Sequence, residues 1–88
     1  MVINAVVKFL RSLPKDIDDP ILYIHRTDGD SSVELEWYTD PDRVLALEFG
    51  GGLDYVKYVY RVEGRGRVGK MESIPRDELY SMIKEVTG

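Results

Sequence analysis

Cysteine is absent from this 88-residue chain, and histidine occurs once, at His25. Without thiols there is no disulfide framework, and a single imidazole cannot complete the ligand set of a zinc ribbon. Long apolar runs are missing as well. Stretches such as Val44-Leu45-Ala46-Leu47 fall far short of the roughly eighteen residues that cross a bilayer, and the first residues lack the shape of a signal peptide. A chain this short does not divide into two cores. The reading is one domain over residues 1–88, cytoplasmic, with no membrane segment, cofactor or metal.

What is present is enough to fold: 43% hydrophobic residues, with 32% charged residues around them. The net charge of -4 hides an uneven distribution. Residues 1–13 carry only Lys8 and Arg11, whereas residues 14–48 hold ten acidic residues against Lys15, Arg26 and Arg43. Residues 49–88 are nearly balanced, yet Arg61, Arg65, Arg67 and Lys70 fall within ten positions of one another. An electrically two-sided molecule is expected, either solvated on both sides or steering a charged partner.

The pattern of apolar residues sets the expected elements. Ile3, Val6, Leu10 and Leu13 recur at helical spacing, with Asn4 as a candidate N-cap and Pro14 as a stop. From Ile21 the period shortens to that of strands. Ile21–Arg26 is followed by a polar turn at 27–32, and Val33, Leu35 and Trp37 then alternate with Glu34, Glu36 and Tyr38. Asp40-Pro41-Asp42 marks a turn, Val44–Phe49 a third strand, and Gly50-Gly51-Gly52 a loop. Tyr55–Glu63 reads as the longest strand, with Gly64-Arg65-Gly66 turning into a fifth through Met71. A closing helix begins near Pro75, with Asp77 and Glu78 in its first turn and Leu79, Met82, Ile83 and Val86 on one face. No βαβ unit occurs. The expected fold is α+β: an antiparallel meander of four to five strands with an N-terminal and a C-terminal helix packed on one face. Trp37 is expected to be buried there.

Several segments imitate functional motifs. Gly64–Gly69 satisfies G-x-G-x-x-G, and Gly64–Lys70 also satisfies G-x-x-x-x-G-K, but a phosphate cradle needs a helix straight after the glycines, and Met71-Glu72-Ser73 must pass before Ile74-Pro75. A glycine-rich hairpin is the plainer account. Asp28-Gly29-Asp30 with Glu34 or Glu36 suggests a calcium loop, yet it runs into an alternating strand, and Asp-Gly between strands is a hairpin signal. Glu34, Glu36 and Glu48 project from one face, either as paired carboxylates for acid–base work or as solvent-face residues opposite Lys57 and Arg61. His25 has no second ligand or nucleophile beside it and reads as a core or rim residue. No catalytic residue is assigned. Six tyrosines and one tryptophan are many for this length, and Tyr38 and Tyr55 are expected on an exposed face.

The helix ending Phe9-Leu10-Arg11-Ser12-Leu13-Pro14, then Thr27-Asp28-Gly29, Val33–Trp37 and Leu45–Phe49, resembles a group of small uncharacterised bacterial and mobile-element proteins. In that group a helix ending Leu-Pro leads to an Asp-Gly turn, a strand ending Glu-Trp and a meander. The resemblance covers roughly residues 5–83. This chain lacks the upstream Trp-x-Gly-Tyr segment of the group, and Asp30-Ser31-Ser32 replaces its second glycine. It implies the α+β meander and an accessory role exercised by binding, and it carries over no catalytic residue.

Three functions compete at this stage. The first is a non-enzymatic module whose acidic surface of Glu34, Glu36, Tyr38, Asp40, Asp42 and Glu48 docks on a basic protein. A nucleic-acid enzyme would suit, with the chain as an antitoxin, an anti-restriction factor or an anti-CRISPR-type inhibitor. The second is weak nucleic-acid binding through Arg61, Arg65, Arg67 and Lys70, with Tyr58 or Tyr60 stacking on a base, against which the net charge argues. The third is a homodimer built by strand pairing at Ile21–Arg26 or after Gly66.

Overall fold

Period-two alternation, interrupted by short turns, folds the chain into a single meander. The structure, a computed structural model, describes residues 2–27, 29–50 and 54–88. Helix α1 (Val2–Ser12) leads through a connector to strands β1 (Ile21–Thr27), β2 (Asp30–Asp40), β3 (Arg43–Gly50), β4 (Lys57–Val62) and β5 (Arg65–Lys70). A single 3-10 turn, Met71–Ser73, precedes helix α2 (Arg76–Thr87). The five strands form one antiparallel sheet in chain order, and both helices lie on the same face of it. The protein is α+β, as the sequence predicts. No helix among the described residues is long and apolar enough to cross a membrane.

Alternate residues of the three middle strands point at the helices. Val33, Leu35 and Trp37 of β2, Leu45, Leu47 and Phe49 of β3, and Tyr58, Tyr60 and Val62 of β4 are all buried. Val6 and Phe9 of α1 and Leu79, Met82, Ile83 and Val86 of α2 close over them. Trp37 is 1% exposed, and its indole N–H donates to the Asp18 carbonyl at 2.7 Å. Its burial thus comes without an unpaired donor, and the acidic connector is pinned to the core. The Lys84 ammonium pairs with Asp16 and holds that carboxyl below its ordinary range, chiefly through their hydrogen bond.

The departures from expectation have local causes. Helix α1 starts at Val2, so Asn4 lies inside it and caps nothing. Ile3 is half exposed, because the buried stripe runs through Val6 and Phe9, and it is Phe9 that meets Phe49 across the core. The polar residues Asp30, Ser31 and Ser32 belong to β2 rather than to a turn, since pairing with β1 continues out to Thr27 and Asp30. That makes β2, at 11 residues, the longest strand, whereas β4 spans six. The β4–β5 turn is Glu63-Gly64, one position earlier than the glycines suggest. Both residues have positive φ, 50° and 79°, as a two-residue type I′ turn requires. Pro75 sits just before α2 rather than in its first turn, while Asp77 and Glu78 occupy that turn as expected. Gly51 and Gly52 of the expected glycine loop, and Asp28 of the first hairpin, lie outside the described residues.

The two outer strands differ. Along β1, Ile21, Leu22, Tyr23 and Ile24 are all exposed: Ile21 and Tyr23 lie on the face away from the helices, which pack chiefly against β2 to β4. On β5, Arg65, Arg67 and Lys70 are interspersed with Gly66, Val68 and Gly69, a composition that discourages strand addition.

Candidate protein-binding surface

The register of the hairpins fixes what the uncovered face presents. Residues directly opposite in an antiparallel pair share a face, so the strand pairing can be read across the sheet as rows. One row runs Tyr23, Glu34, Glu48, Lys57, Lys70 from β1 to β5. The next runs Ile21, Glu36, Ala46, Val59, Val68, and a third runs Tyr38, Val44, Arg61, Gly66 over β2 to β5. Three of the acidic residues singled out from the sequence, Glu34, Glu36 and Glu48, therefore meet on this face, with Tyr38 near them.

Their electrostatics are unfavourable as they stand. Glu34 lies directly across from Glu48 and two positions from Glu36 on its own strand. Partial burial raises the Glu34 carboxyl above its ordinary range, and the charges of Glu36 and Glu48 push it further. Among the described residues the one basic side chain within 4 Å of Glu34 is His25, a counter-charge only when protonated, whose Nε2 is 3.7 Å away. His25 is a rim residue, its ring stacked on Tyr23 with centroids 6.4 Å apart. Lys57 sits opposite Glu48 in register, but among the described residues neither closes an ion pair within 4 Å. Arg61 is opposite Val44 rather than a glutamate.

Asp40 and Asp42 do not join this group. They belong to the β2–β3 turn, where an Asp40 carboxylate oxygen accepts the Asp42 amide at 2.8 Å. At strand rise, Asp40 lies about 20 Å along β2 from Glu34. The basic set is divided in the same way. Arg61 and Lys70 are on the open face, with Lys70 Nζ over the Tyr55 ring at 4.9 Å. Arg65 and Arg67 turn to the helix side, where Arg65 meets Glu85 at 3.2 Å and Arg67 meets Glu78 at 2.8 Å. Tyr58 and Tyr60, expected to stack on a base, are buried beneath α2. Burial and the nearby Glu85 hold the Tyr60 phenol above its ordinary range.

This face also carries apolar residues, in keeping with the Tyr and Val expected there beside the charges. Ile21, Tyr23, Val59 and Val68 are exposed between the charges, and the register fixes which charge each of them adjoins. Two hollows lie elsewhere, on the helix side next to β1. One of about 330 Å³ is lined by Leu10, Leu13, Leu22 and Leu35, and one of about 510 Å³ by Ile3, Ile24 and Arg26. Among the described residues no three His, Asp or Glu side chains converge as a metal site. Gly64–Lys70, the motif that imitates a phosphate loop, forms a β-turn and the edge strand β5. No protein-family model matches the chain, and no curated protein and no solved structure matches it either.

Proposed function

We propose that this protein is a non-enzymatic binding module that docks a basic partner protein on the open face of its sheet. The observation that carries the reading is the trio Glu34, Glu36 and Glu48, gathered on the face away from the helices and, among the described residues, with no lysine or arginine within ion-pair distance. Like charges placed opposite each other across a sheet destabilise it. A partner that brings cations to this face relieves the repulsion, which makes binding the state in which the arrangement is favourable. Exposed Tyr23 and Tyr38 add large amphipathic rings of the kind enriched at interfaces. Enzymes that handle nucleic acids suit as partners, since carboxylates imitate phosphate charge, and an antitoxin, anti-restriction or anti-CRISPR-type inhibitor would work in this way.

The test is capture from cell lysate by the immobilised protein, compared with a Glu34→Lys, Glu36→Lys variant. Basic proteins retained by the natural sequence and lost by the variant support the reading; identical capture by both sinks it. The nucleic-acid alternative has less in its favour, because its four cations divide between two faces and its stacking rings are buried.

A further inference from the structure

The order of charges along one row of the open face is unusual in a specific way. From β2 to β5 it reads Glu34, Glu48, Lys57, Lys70: two acids side by side, then two bases side by side. An alternating order would neutralise itself within the sheet through cross-strand pairs. The segregated order leaves each half of the face next to its own sign, and it is self-complementary under a twofold rotation. An axis parallel to the strands, between β3 and β4, lays Glu48 over Lys57 of a second copy and Glu34 over its Lys70. By symmetry each pairing occurs twice. In the neighbouring row the same rotation places Ala46 against the second copy's Val59, and in the third it lays Val44 along the second copy's Arg61, so an apolar pair separates the charged row from Arg61. Glu36 then falls at the rim, over the edge strand β5 of the second copy.

We propose that the open face closes on a second copy of this chain, giving a sandwich of two sheets with the helices outside. Sheets packed face to face keep their strands within about 30° of each other, so a strand-parallel axis is compatible with their twist. The inference rests on the reading of this face as the binding surface and names its first occupant. It also supplies a form of regulation: the homodimer covers the acidic trio, and a basic partner must compete with Lys57 and Lys70 for it.

Light scattering and sedimentation over a concentration series decide the matter. The natural sequence is expected to pass from 10.1 kDa to twice that mass, with dissociation favoured by added salt. Glu48→Lys and Lys57→Glu, each alone, are expected to weaken the dimer at least about tenfold. Mixing the two variants is expected to restore it, because position 48 of one copy then faces the opposite charge at position 57 of the other. A mass of 10.1 kDa at high micromolar concentration and low salt overturns the proposal. So does a dimer indifferent to both substitutions, the mark of pairing through β1. The broader binding reading fails separately: the monomeric Lys57→Glu form, its acidic side uncovered, would capture no basic protein while the natural sequence still dimerised.

Discussion

The two faces of the sheet are built from alternate residues of the same strands, and they obey different rules. On the helix side of β2 and β3, Val33, Leu35, Trp37, Leu45, Leu47 and Phe49 make an unbroken apolar surface, each at most 3% exposed. On the other side the same strands carry Glu34, Glu36, Ala46 and Glu48, with like charges side by side. The first face gains stability from every residue, and the second gives some up. A region that lowers the stability of its own fold is where the search for a partner belongs, and the contrast can be tested from either side.

The largest effect is expected at Trp37→Ala. Truncating a buried aromatic costs about 3–5 kcal/mol, against a total of about 5–15 kcal/mol for a small domain, so this variant should be unfolded or nearly so in a thermal melt. It also removes the indole hydrogen bond to the Asp18 carbonyl that ties the connector to the core. A melt like that of the natural sequence would mean that the faces are assigned backwards. Leu47→Ala, fully buried on β3, should lower stability by about 2–5 kcal/mol, whereas Val59→Thr on the open face should stay within about 0.5 kcal/mol. Equal losses at the two positions would erase the distinction. Glu34→Lys should remain folded, changing stability by well under about 1 kcal/mol while abolishing capture of a basic partner.

The smallest effect concerns pH, and it separates repulsion on the open face from simple exposure. Because folding raises the Glu34 carboxyl, the folded state holds this proton more tightly than the unfolded chain does. That contribution to stability therefore falls as pH rises from the ordinary carboxyl value through the raised one, and its full burden is present at neutral pH. Glu34→Gln removes the charge. Its melting temperature should exceed that of the natural sequence slightly at neutral pH, by an amount worth a few tenths of a kcal/mol, about that of a cross-strand pair. The gap should close below the ordinary carboxyl range. A gap that persists in acid would assign the gain to packing rather than to charge.

The fold was legible because both periods were clean. Val33, Leu35 and Trp37 announce one buried side of β2, and Leu79, Met82, Ile83 and Val86 announce the stripe of α2. The ends of elements were less so. Ser31 and Ser32 look like turn residues, yet ladder pairing with β1 overrides their local preference. The acidic trio could be read from parity alone, since Glu34 and Glu36 are two apart and Glu48 follows a short turn. Closeness in sequence groups Asp40 and Asp42 with them, but the extended run of β2 and the irregular pairing after Tyr38 carry both away to the turn. The split of Arg61 and Lys70 from Arg65 and Arg67 could not be read, because it depends on the turn being the two residues Glu63-Gly64 and not the three of Gly64-Arg65-Gly66, and an odd change in loop length exchanges the faces.

The chain-order pairing of the strands also sets the sequence in which the molecule can assemble. Each strand meets the one before it, so every hairpin closes a short loop, and the entropic demand of building the sheet step by step is small. The two helices meet only across nearly the whole chain: the Arg76 guanidinium donates to the Ser12 hydroxyl at 2.9 Å over 64 positions, and the Tyr80 hydroxyl donates to the Ser12 carbonyl over 68. Such contacts belong to the late part of folding. Loss of the Ser12 hydroxyl would then be felt as faster opening with little change in the rate of closing, the helix pair acting as a clasp fastened over a sheet that is already in place.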